Sequence, residues 1–262
     1  MSRIEKESER KKGELIQDEL TDDALTGKFR VYQRRRGHRF SLDDLLVAAI
    51  ALETRPDAKR ILDLGSGIGS VPLMVAAINQ GAAIVCVEAQ EVSYRLLVRN
   101  IERNDLGDRL GTILGDFRHV DLGDPRFELI TGTPPYFKPG EATLPPDSQK
   151  AHARFELRGG VEDYLSTAIK YLDRGGAIVV CAASSRERSA VMRAEELGLS
   201  PRRIVEAIPR EGRPPLFTVF AFETSKGPVA RERFIARTSD GRTSQQYLAL
   251  RARFGLYDRE QR

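Results

Sequence analysis

The sequence predicts an α/β fold with a seven-stranded, mostly parallel sheet that is covered by helices on both faces. Short apolar runs alternate with helical stretches along most of the chain, which is typical of sheets built from strand–helix units. Turns between these elements are marked by Gly65, Gly67 and Gly69 and by the pair Gly175 and Gly176. The 262 residues are enough for one large domain with short extensions.

Seven strands and four helices follow from this alternation. The predicted strands cover residues 61–64, 83–88, 111–114, 127–132, 176–182, 203–208 and 216–223. The predicted helices cover residues 71–79, 91–104, 161–173 and 187–197. A long segment at 137–160 is rich in proline and glycine and begins beside the predicted site. We expect this loop to have a functional role, because long loops within compact domains commonly do.

Composition and charge divide the chain into three expected regions. Residues 1–27 form a densely charged arm, residues 28–225 the central domain, and residues 226–262 a basic extension that packs on or flanks the core. The arm has no apolar segment of the kind found in secretory signals. Apolar residues make up 40% of the chain without a run of membrane-spanning length, so we expect a cytoplasmic protein with no membrane association.

The first strand enters a glycine-rich turn with the pattern Asp63-x-Gly65-x-Gly67-x-Gly69. Glycine lets the backbone pass close to a ligand. The dinucleotide-binding fingerprint would need its third glycine at position 70, which is Ser70. An acid before the turn would repel a pyrophosphate but attract an ammonium group. The pattern resembles motif I of class I methyltransferases, which bind the amino-acid part of S-adenosylmethionine at this turn.

Two further acids follow strand ends in the expected register. Glu88 ends the second strand about twenty residues after the turn, where a carboxylate accepts hydrogen bonds from a ribose diol. Asp116 follows the third strand, where its carboxylate would accept from an adenine amino group, and Phe117 would pack against the ring. Taken alone, Asp116 would be interpreted as a turn or helix-cap residue. Its register with the other two elements favours the ligand role.

The fourth strand runs into Thr133-Pro134-Pro135-Tyr136-Phe137. The prolines fix the backbone and remove donors, so carbonyl groups remain to face a substrate. A purine amino nitrogen is a poor nucleophile, and accepting its hydrogens moves it toward sp³ geometry. The Thr133 hydroxyl and the Pro134 carbonyl are the candidate acceptors, while Tyr136 offers a flat face for stacking. No strong base is required, because the methyl donor is reactive and positioning contributes much of the acceleration.

The flanks of these motifs resemble one family, the bacterial tRNA1(Val) (adenine-37-N6)-methyltransferases. The similar segments are 32–46 (YQRRRGHRFSLDDLL), 151–156 (AHARFE) and 240–247 (DGRTSQQY), within a resemblance that spans about residues 28–257. It implies a Rossmann-like class I methyltransferase fold, S-adenosylmethionine as cofactor, and N6-methylation of an adenine in RNA, with tRNA expected. The family carries Asn before the two prolines, whereas this chain carries Thr133.

Charge favours an acidic partner such as RNA. The formal net charge is +4, and residues 226–262 hold nine basic against four acidic side chains. The segment 28–39 contains no acid, and we expect four of its arginines to bind RNA together with Phe137. These arginines are Arg34, Arg35, Arg36 and Arg39. The alternative is an ordinary solvated surface in an arginine-rich chain.

Other functions stay open at this point. Cys86 and Cys181 lie in apolar runs and are expected to be reduced core residues, and the three histidines show no ligand spacing, so no metal is expected. A protein methyltransferase acting on a glutamine amide would share the proline loop, although such enzymes usually carry a longer domain before the glycine turn. A nucleic-acid-binding homologue with lost or altered activity is the other alternative, and the sequence does not indicate an oligomeric state.

Overall fold

The computed structural model of the chain describes residues 19–257. The strands of this part are Leu20–Ala24 (β1), Arg30–Arg34 (β2), Arg60–Leu64 (β3), Ala83–Glu88 (β4), Leu110–Leu114 (β5), Phe127–Gly132 (β6), Leu172–Ala183 (β7), Ser200–Ile208 (β8), Phe217–Glu223 (β9) and Ala230–Ile235 (β10). The α-helices are Leu42–Thr54 (α1), Ser70–Ile78 (α2), Glu91–Arg103 (α3), Ser148–Arg154 (α4), Val161–Tyr171 (α5), Glu187–Glu196 (α6) and Gln245–Arg253 (α7).

Eight strands form the main sheet, in the order β10-β8-β9-β7-β6-β3-β4-β5. All neighbouring pairs are parallel except those that involve β9, which is antiparallel to β7 and to β8. The predicted α/β fold is therefore confirmed, with one strand more than predicted. The additional strand, β10, pairs in parallel with β8 at the edge of the sheet. The sequence pattern does not predict this strand, because most of its residues are charged and exposed. Charged residues on an edge strand are a common way to protect the edge from further pairing.

Side chains of the central strands alternate between two apolar layers. In β3, Ile61 belongs to the layer beneath α1, α2 and α3, while Leu62 and Leu64 belong to the layer beneath α5 and α6. Both faces of the sheet are therefore buried. This explains why the strands are nearly continuous apolar runs, as expected for a parallel sheet covered on both sides.

Five elements lie outside the predicted set besides β10. Helix α1 is apolar almost all round because it packs between the sheet and α2, so it lacks the one-sided periodicity that indicates a surface helix. Helix α4 lies within the predicted loop 137–160 and is only seven residues long, with its amino end capped by the Asp147 carboxylate. Helix α7 and the hairpin β1–β2 are the others.

The hairpin is attached to the glycine turn through α3. The buried Asn100 side chain accepts from the backbone N–H of Tyr32 and donates to the carbonyls of Tyr32 and Ile68, at 2.7, 3.0 and 2.9 Å. The Gly27 N–H, in the turn of the hairpin, donates at 2.7 Å to the carbonyl of Phe254, which lies near the carboxyl end of the described chain. The amino- and carboxyl-terminal parts of the described chain therefore meet on one side of the sheet.

The expected three regions remain a prediction about folding units. Residues 1–18 of the arm and 258–262 of the extension lie outside the described residues. Within residues 19–257, the boundary at residue 27 falls inside the hairpin β1–β2, and β10 of the extension is part of the main sheet. None of the described helices has both the length and the apolarity needed to cross a membrane.

Candidate active site

A cleft opens at the carboxyl ends of β3, β4, β5 and β6. Parallel strands end at the same edge of a sheet, so each of these strands brings one predicted segment to this place. The predicted residues that line the cleft are Gly65, Gly67, Glu88, Asp116, Phe117, Thr133 and Pro135. Asp63, Gly69, Pro134 and Tyr136 are not among the lining residues. The cleft encloses about 850 Å³ with its open mouth included.

The glycine turn approaches the cleft with its backbone. Gly67 has φ +56°, and a Cβ atom there would meet no atom within 4 Å, so this position faces open space. Gly65 has φ +62°, and a Cβ atom there would lie 2.2 Å from the Tyr164 hydroxyl. Gly65 is therefore required for packing and for the turn, while Gly67 leaves room for a ligand.

Glu88 supports the turn and faces the cleft. One carboxylate oxygen accepts from the Gly67 N–H at 2.8 Å, and the other accepts from the Gln90 N–H at 2.6 Å. Burial raises the pKa of Glu88, and these two backbone hydrogen bonds oppose the shift. Each carboxylate oxygen has room for a further donor, which fits the expected contact with two hydroxyl groups.

Asp63 lies behind the turn. Its carboxylate accepts from the Thr131 hydroxyl at 2.5 Å, and its side chain is buried. Burial raises its pKa to about 7. Asp63 therefore adds negative potential behind the turn when ionised, and in this structure its carboxylate does not reach the cleft surface.

Asp116 and Phe117 form the wall that follows β5. Arg118 binds the Asp116 carboxylate through two nitrogens, at 3.0 and 2.6 Å, and this contact lowers the pKa of Asp116. The carboxylate thus has a partner but keeps lone pairs for another donor. The Phe117 ring packs edge-to-face on Tyr164, with 4.4 Å between ring centroids.

The segment after β6 divides into two halves. Thr133 and Pro135 line the cleft, and the Thr133 hydroxyl forms no hydrogen bond with any residue in 19–257. Tyr136 points elsewhere: its hydroxyl donates to Asp43 at 2.8 Å, and its ring stacks on Phe217 with 5.9 Å between centroids. In this arrangement Tyr136 anchors the loop rather than presenting a ring to the cleft.

The arginines of the segment 28–39 are mostly neutralised by acids from other parts of the chain. Arg34 pairs with Asp147 at 3.0 Å, Arg35 with Glu19 at 2.9 Å, and Arg39 with Asp23 at 2.9 Å. Arg36 is exposed. The absence of acids within the segment therefore did not reveal its electrostatic environment, because the partners are distant in sequence. Phe137 lies farther along the loop, 5.6 Å from the Phe155 ring.

The most important residue that was not predicted is Asp44, at the start of α1. It lines the cleft, accepts from the Ser70 hydroxyl at 2.7 Å and accepts from the Ser41 N–H at 2.8 Å. Burial, followed by the charge of Asp43, raises its pKa to about 7. No basic residue in the described part of the chain forms an ion pair with it. The pattern Ser41-x-x-Asp44 is a helix-start signal, which indicates where α1 begins but not that Asp44 lies beside the cleft.

The loop 137–160 closes one side of the cleft through α4. His152, Ala153 and Arg158 line the cleft from this segment, and His38 lines it from the opposite strand–helix connection. Burial lowers the pKa of His38, and the charges of Arg154 and Lys150 act in the same direction, against Asp43. Among residues 19–257 there is no group of three metal-ligating side chains.

Comparisons with known proteins show which families the chain is similar to. Residues 48–135 match the TRM5/TYW2 methyltransferase domain family. A tRNA1(Val) (adenine(37)-N6)-methyltransferase from Bacteroides fragilis is 29% identical over 199 residues, which cover 75% of this chain and 83% of the relative. The enzyme of the same name from Salmonella paratyphi B is 27% identical, over 88% of this chain and 93% of the relative.

Solved structures show the same fold. A predicted O-methyltransferase from Agrobacterium tumefaciens superposes with a TM-score of 0.62 at 19% identity, covering 83% of this chain and 99% of that chain. TYW2 of P. horikoshii, in complex with MeSAdo, superposes with a TM-score of 0.56 at 16% identity, covering 79% and 73%. The chain therefore has the same fold as these proteins, and its resemblance to the tRNA1(Val) (adenine-37-N6)-methyltransferase family is confirmed.

Proposed function

We propose that this protein transfers a methyl group from S-adenosylmethionine to the N6 amino group of an adenine in tRNA. The position of Thr133 carries the proposal. Its hydroxyl, which has no hydrogen-bond partner among the described residues, lines the same cleft as Glu88 and the open face of Gly67. An acceptor for an amino group therefore lies beside residues suited to the methyl donor. The relatives named above support the substrate class, and they do not favour the protein-glutamine alternative.

The residues of the cleft fit S-adenosylmethionine. Glu88 has free acceptor capacity for the two ribose hydroxyls, and the space beside Gly67 leaves room for the ligand. Asp44 is a buried acid without a cationic partner among the described residues, and it would hold the ammonium group. Asp116 and Phe117 would hold the adenine ring. When bound, S-adenosylmethionine supplies an electrophilic methyl group.

The protein's part in the reaction is to position the accepting nitrogen. The Thr133 hydroxyl and the Pro134 carbonyl would accept the two amino hydrogens, which turns the nitrogen lone pair out of conjugation with the ring. Tyr136 holds the loop in place through Asp43 and Phe217. The acceleration comes from orientation and from exclusion of water rather than from a strong base.

The deciding experiment is transfer from a labelled methyl donor to bulk tRNA, rRNA and protein, followed by nucleoside and amino-acid analysis. We expect N6-methyladenosine in the tRNA fraction. The Glu88→Ala variant serves as the control for contaminating activity. Methylglutamine in the protein fraction, without N6-methyladenosine, would replace this proposal by protein methylation. Donor binding without transfer to any substrate would support the inactive homologue.

A further inference from the structure

The segment 137–160 carries more positive charge at the mouth of the cleft than its sequence indicates. It contains four cations (Lys138, Lys150, Arg154 and Arg158) and three acids (Glu141, Asp147 and Glu156). Two of these acids are paired by arginines from outside the segment, Glu141 by Arg186 and Asp147 by Arg34. Burial raises the pKa of the third, Glu156.

The four cations themselves have no acid partner within ion-pair distance in the described part of the chain. Arg158 lines the cleft, and the charges of Lys150 and Arg154 act on His38 in the cleft wall. Arg154 and Lys138 are exposed, and Lys138 feels Glu141 and Glu156 only at longer range. The segment therefore places uncompensated positive charge around the opening of the proposed active site.

Apolar surface accompanies this charge. Leu144 and Leu157 of the same segment are 52% and 39% exposed. The Arg154 guanidinium lies over the Phe137 ring, 5.6 Å from its centroid. Cations interleaved with exposed apolar and aromatic groups are typical of surfaces that bind single-stranded nucleic acid, where phosphates and bases alternate.

We propose that Lys138, Lys150 and Arg154 form the surface that binds the RNA backbone beside the modified nucleotide, a role the sequence assigned to the arginines at 34–39. The proposal rests on the proposed function, because a base that enters the cleft carries its own and the neighbouring phosphates to the mouth. Arg34 and Arg39 instead hold the acids Asp147 and Asp23. Because Arg34 pairs with Asp147, this acid does not neutralise Lys150 and Arg154 of α4, and Arg34 therefore contributes to RNA binding only indirectly.

The test compares two triple variants with the same loss of charge. The first is Lys138→Gln, Lys150→Gln and Arg154→Gln. The control is Lys59→Gln, Arg174→Gln and Lys226→Gln, three exposed cations near the opposite edge of the sheet. Binding of bulk tRNA is measured across a salt series, with melting temperature and S-adenosylmethionine affinity as checks on the fold and the donor site.

We expect the first variant to lose about tenfold or more in tRNA affinity near physiological salt, and its slope of log affinity against log salt to fall by about two. The control should change less than about twofold. Equal losses in the two variants, or none in the first, would overturn the proposal. If the triple variant is unstable, the exposed Arg154→Glu change alone should reverse the contact and lower tRNA affinity.

Two further measurements separate this surface from the proposed reaction. If wild type binds tRNA through these cations but forms no N6-methyladenosine, the surface stands and the reaction fails. If wild type forms N6-methyladenosine and the triple variant binds and reacts normally, the surface fails. Competition by poly-glutamate as strong as by tRNA, with the same dependence on the three cations, would assign the surface to acidic proteins and overturn the RNA proposal.

Discussion

Two recesses in the described part of the chain differ in how their acids are paired. Asp44 in the wall of the cleft and Asp63 behind its glycine turn are both buried, and burial raises the pKa of each to about 7. The second recess, here called the C-terminal groove, is lined by Leu46, Ile50, Glu53, Arg203, Glu232, Phe234, Leu250 and Arg253. There Arg203 and Arg253 bind Glu53 and lower its pKa.

The difference lies in the available cations rather than in the acids. Arg203 also binds both oxygens of Glu232, at 2.7 and 2.8 Å, so the charges of the C-terminal groove neutralise one another. Within residues 19–257, Asp44 and Asp63 accept hydrogen bonds from neutral groups and form no ion pair. A buried acid without a cation is costly, and such acids are concentrated at functional sites. The pairing of charges makes the groove a structural junction, whereas the acids at the cleft support the proposed binding of a ligand that carries positive charge.

The largest expected effect is on binding of S-adenosylmethionine. Glu88→Ala should weaken donor binding by about 1–3 kcal/mol, because hydrogen bonds to a charged acceptor are lost. The matched change in the groove, Glu53→Ala, should leave donor affinity unchanged. Calorimetry measures both affinities. An unaltered dissociation constant for Glu88→Ala would contradict the proposal that Glu88 binds the ribose hydroxyls.

The next effect concerns the accepting nitrogen. Thr133→Val removes the hydroxyl at nearly constant shape and should slow methyl transfer by about 1–2 kcal/mol in activation free energy, with donor affinity unchanged. Thr133→Asn should keep or raise the rate, because it restores the residue found in the family that the chain resembles. Single-turnover rates on tRNA distinguish the cases. A Thr133→Val variant as fast as wild type would show that the Thr133 hydroxyl does not take part in methyl transfer.

Tyr136 separates two roles of the proline loop. If stacking on the target base were its role, Tyr136→Phe would keep activity and Tyr136→Ala would lose it. We expect Tyr136→Phe to lose part of the activity, since the hydrogen bond to Asp43 is worth about 1 kcal/mol or somewhat more when the acceptor is charged. Full activity of Tyr136→Phe with an inactive Tyr136→Ala would instead support stacking of the Tyr136 ring on the target base.

The raised pKa of Asp44 predicts a pH dependence. An ammonium group needs the ionised carboxylate, so donor affinity should rise as pH increases through about 7. Asp44→Asn should weaken binding and reduce this dependence. Calorimetry in buffers of different ionisation enthalpy would detect the proton that wild type releases on binding near pH 6.5. Binding that is independent of pH would argue against Asp44 as the ammonium site.

The same shift has a consequence for the unliganded fold. The folded pKa of about 7 lies above the ordinary value of 3.8, so the folded state holds its proton more tightly than the unfolded chain. The contribution of Asp44 to stability is therefore full at low pH and falls as pH rises from about 4 to 7. Urea titrations of wild type and Asp44→Asn should differ in this window.

The smallest effect belongs to the C-terminal groove. Glu53→Gln should lower the free energy of unfolding by less than about 1 kcal/mol, because the Glu53 side chain is 40% exposed and such pairs are screened by water. Donor binding and transfer should not change. A loss of donor affinity in Glu53→Gln would contradict the separation between the two recesses.

The central fold was predictable from the sequence, because both faces of the sheet are buried. This makes each strand from 61–64 to 216–223 a visible apolar run between turns. The elements that escaped prediction depend on their surroundings. Helix α1 is buried on most sides, α4 is seven residues long, and β10 is a charged edge strand. For these three, local pattern is weak and packing decides the structure.

The candidate site shows the same division. Gly67, Glu88 and Thr133 follow strand ends, and parallel strands end at one edge, so chain order alone brings them together. Asp44 enters the cleft from α1, and no local pattern indicates which way that helix lies. The contact between the Tyr136 hydroxyl and Asp43 was also not predictable, because the two residues are distant in sequence.

The sequence by itself determined the α/β fold, the glycine turn and the order in which acids and the proline loop reach the cleft, because these follow from periodicity and strand direction. Only the tertiary structure decided which charges stand alone. Arg34 and Arg39 are neutralised by Asp147 and Asp23, while Asp44 has no cationic partner among the residues that the structure describes. Electrostatic interactions act through space between residues far apart in the chain, so charge counts along the sequence do not determine them.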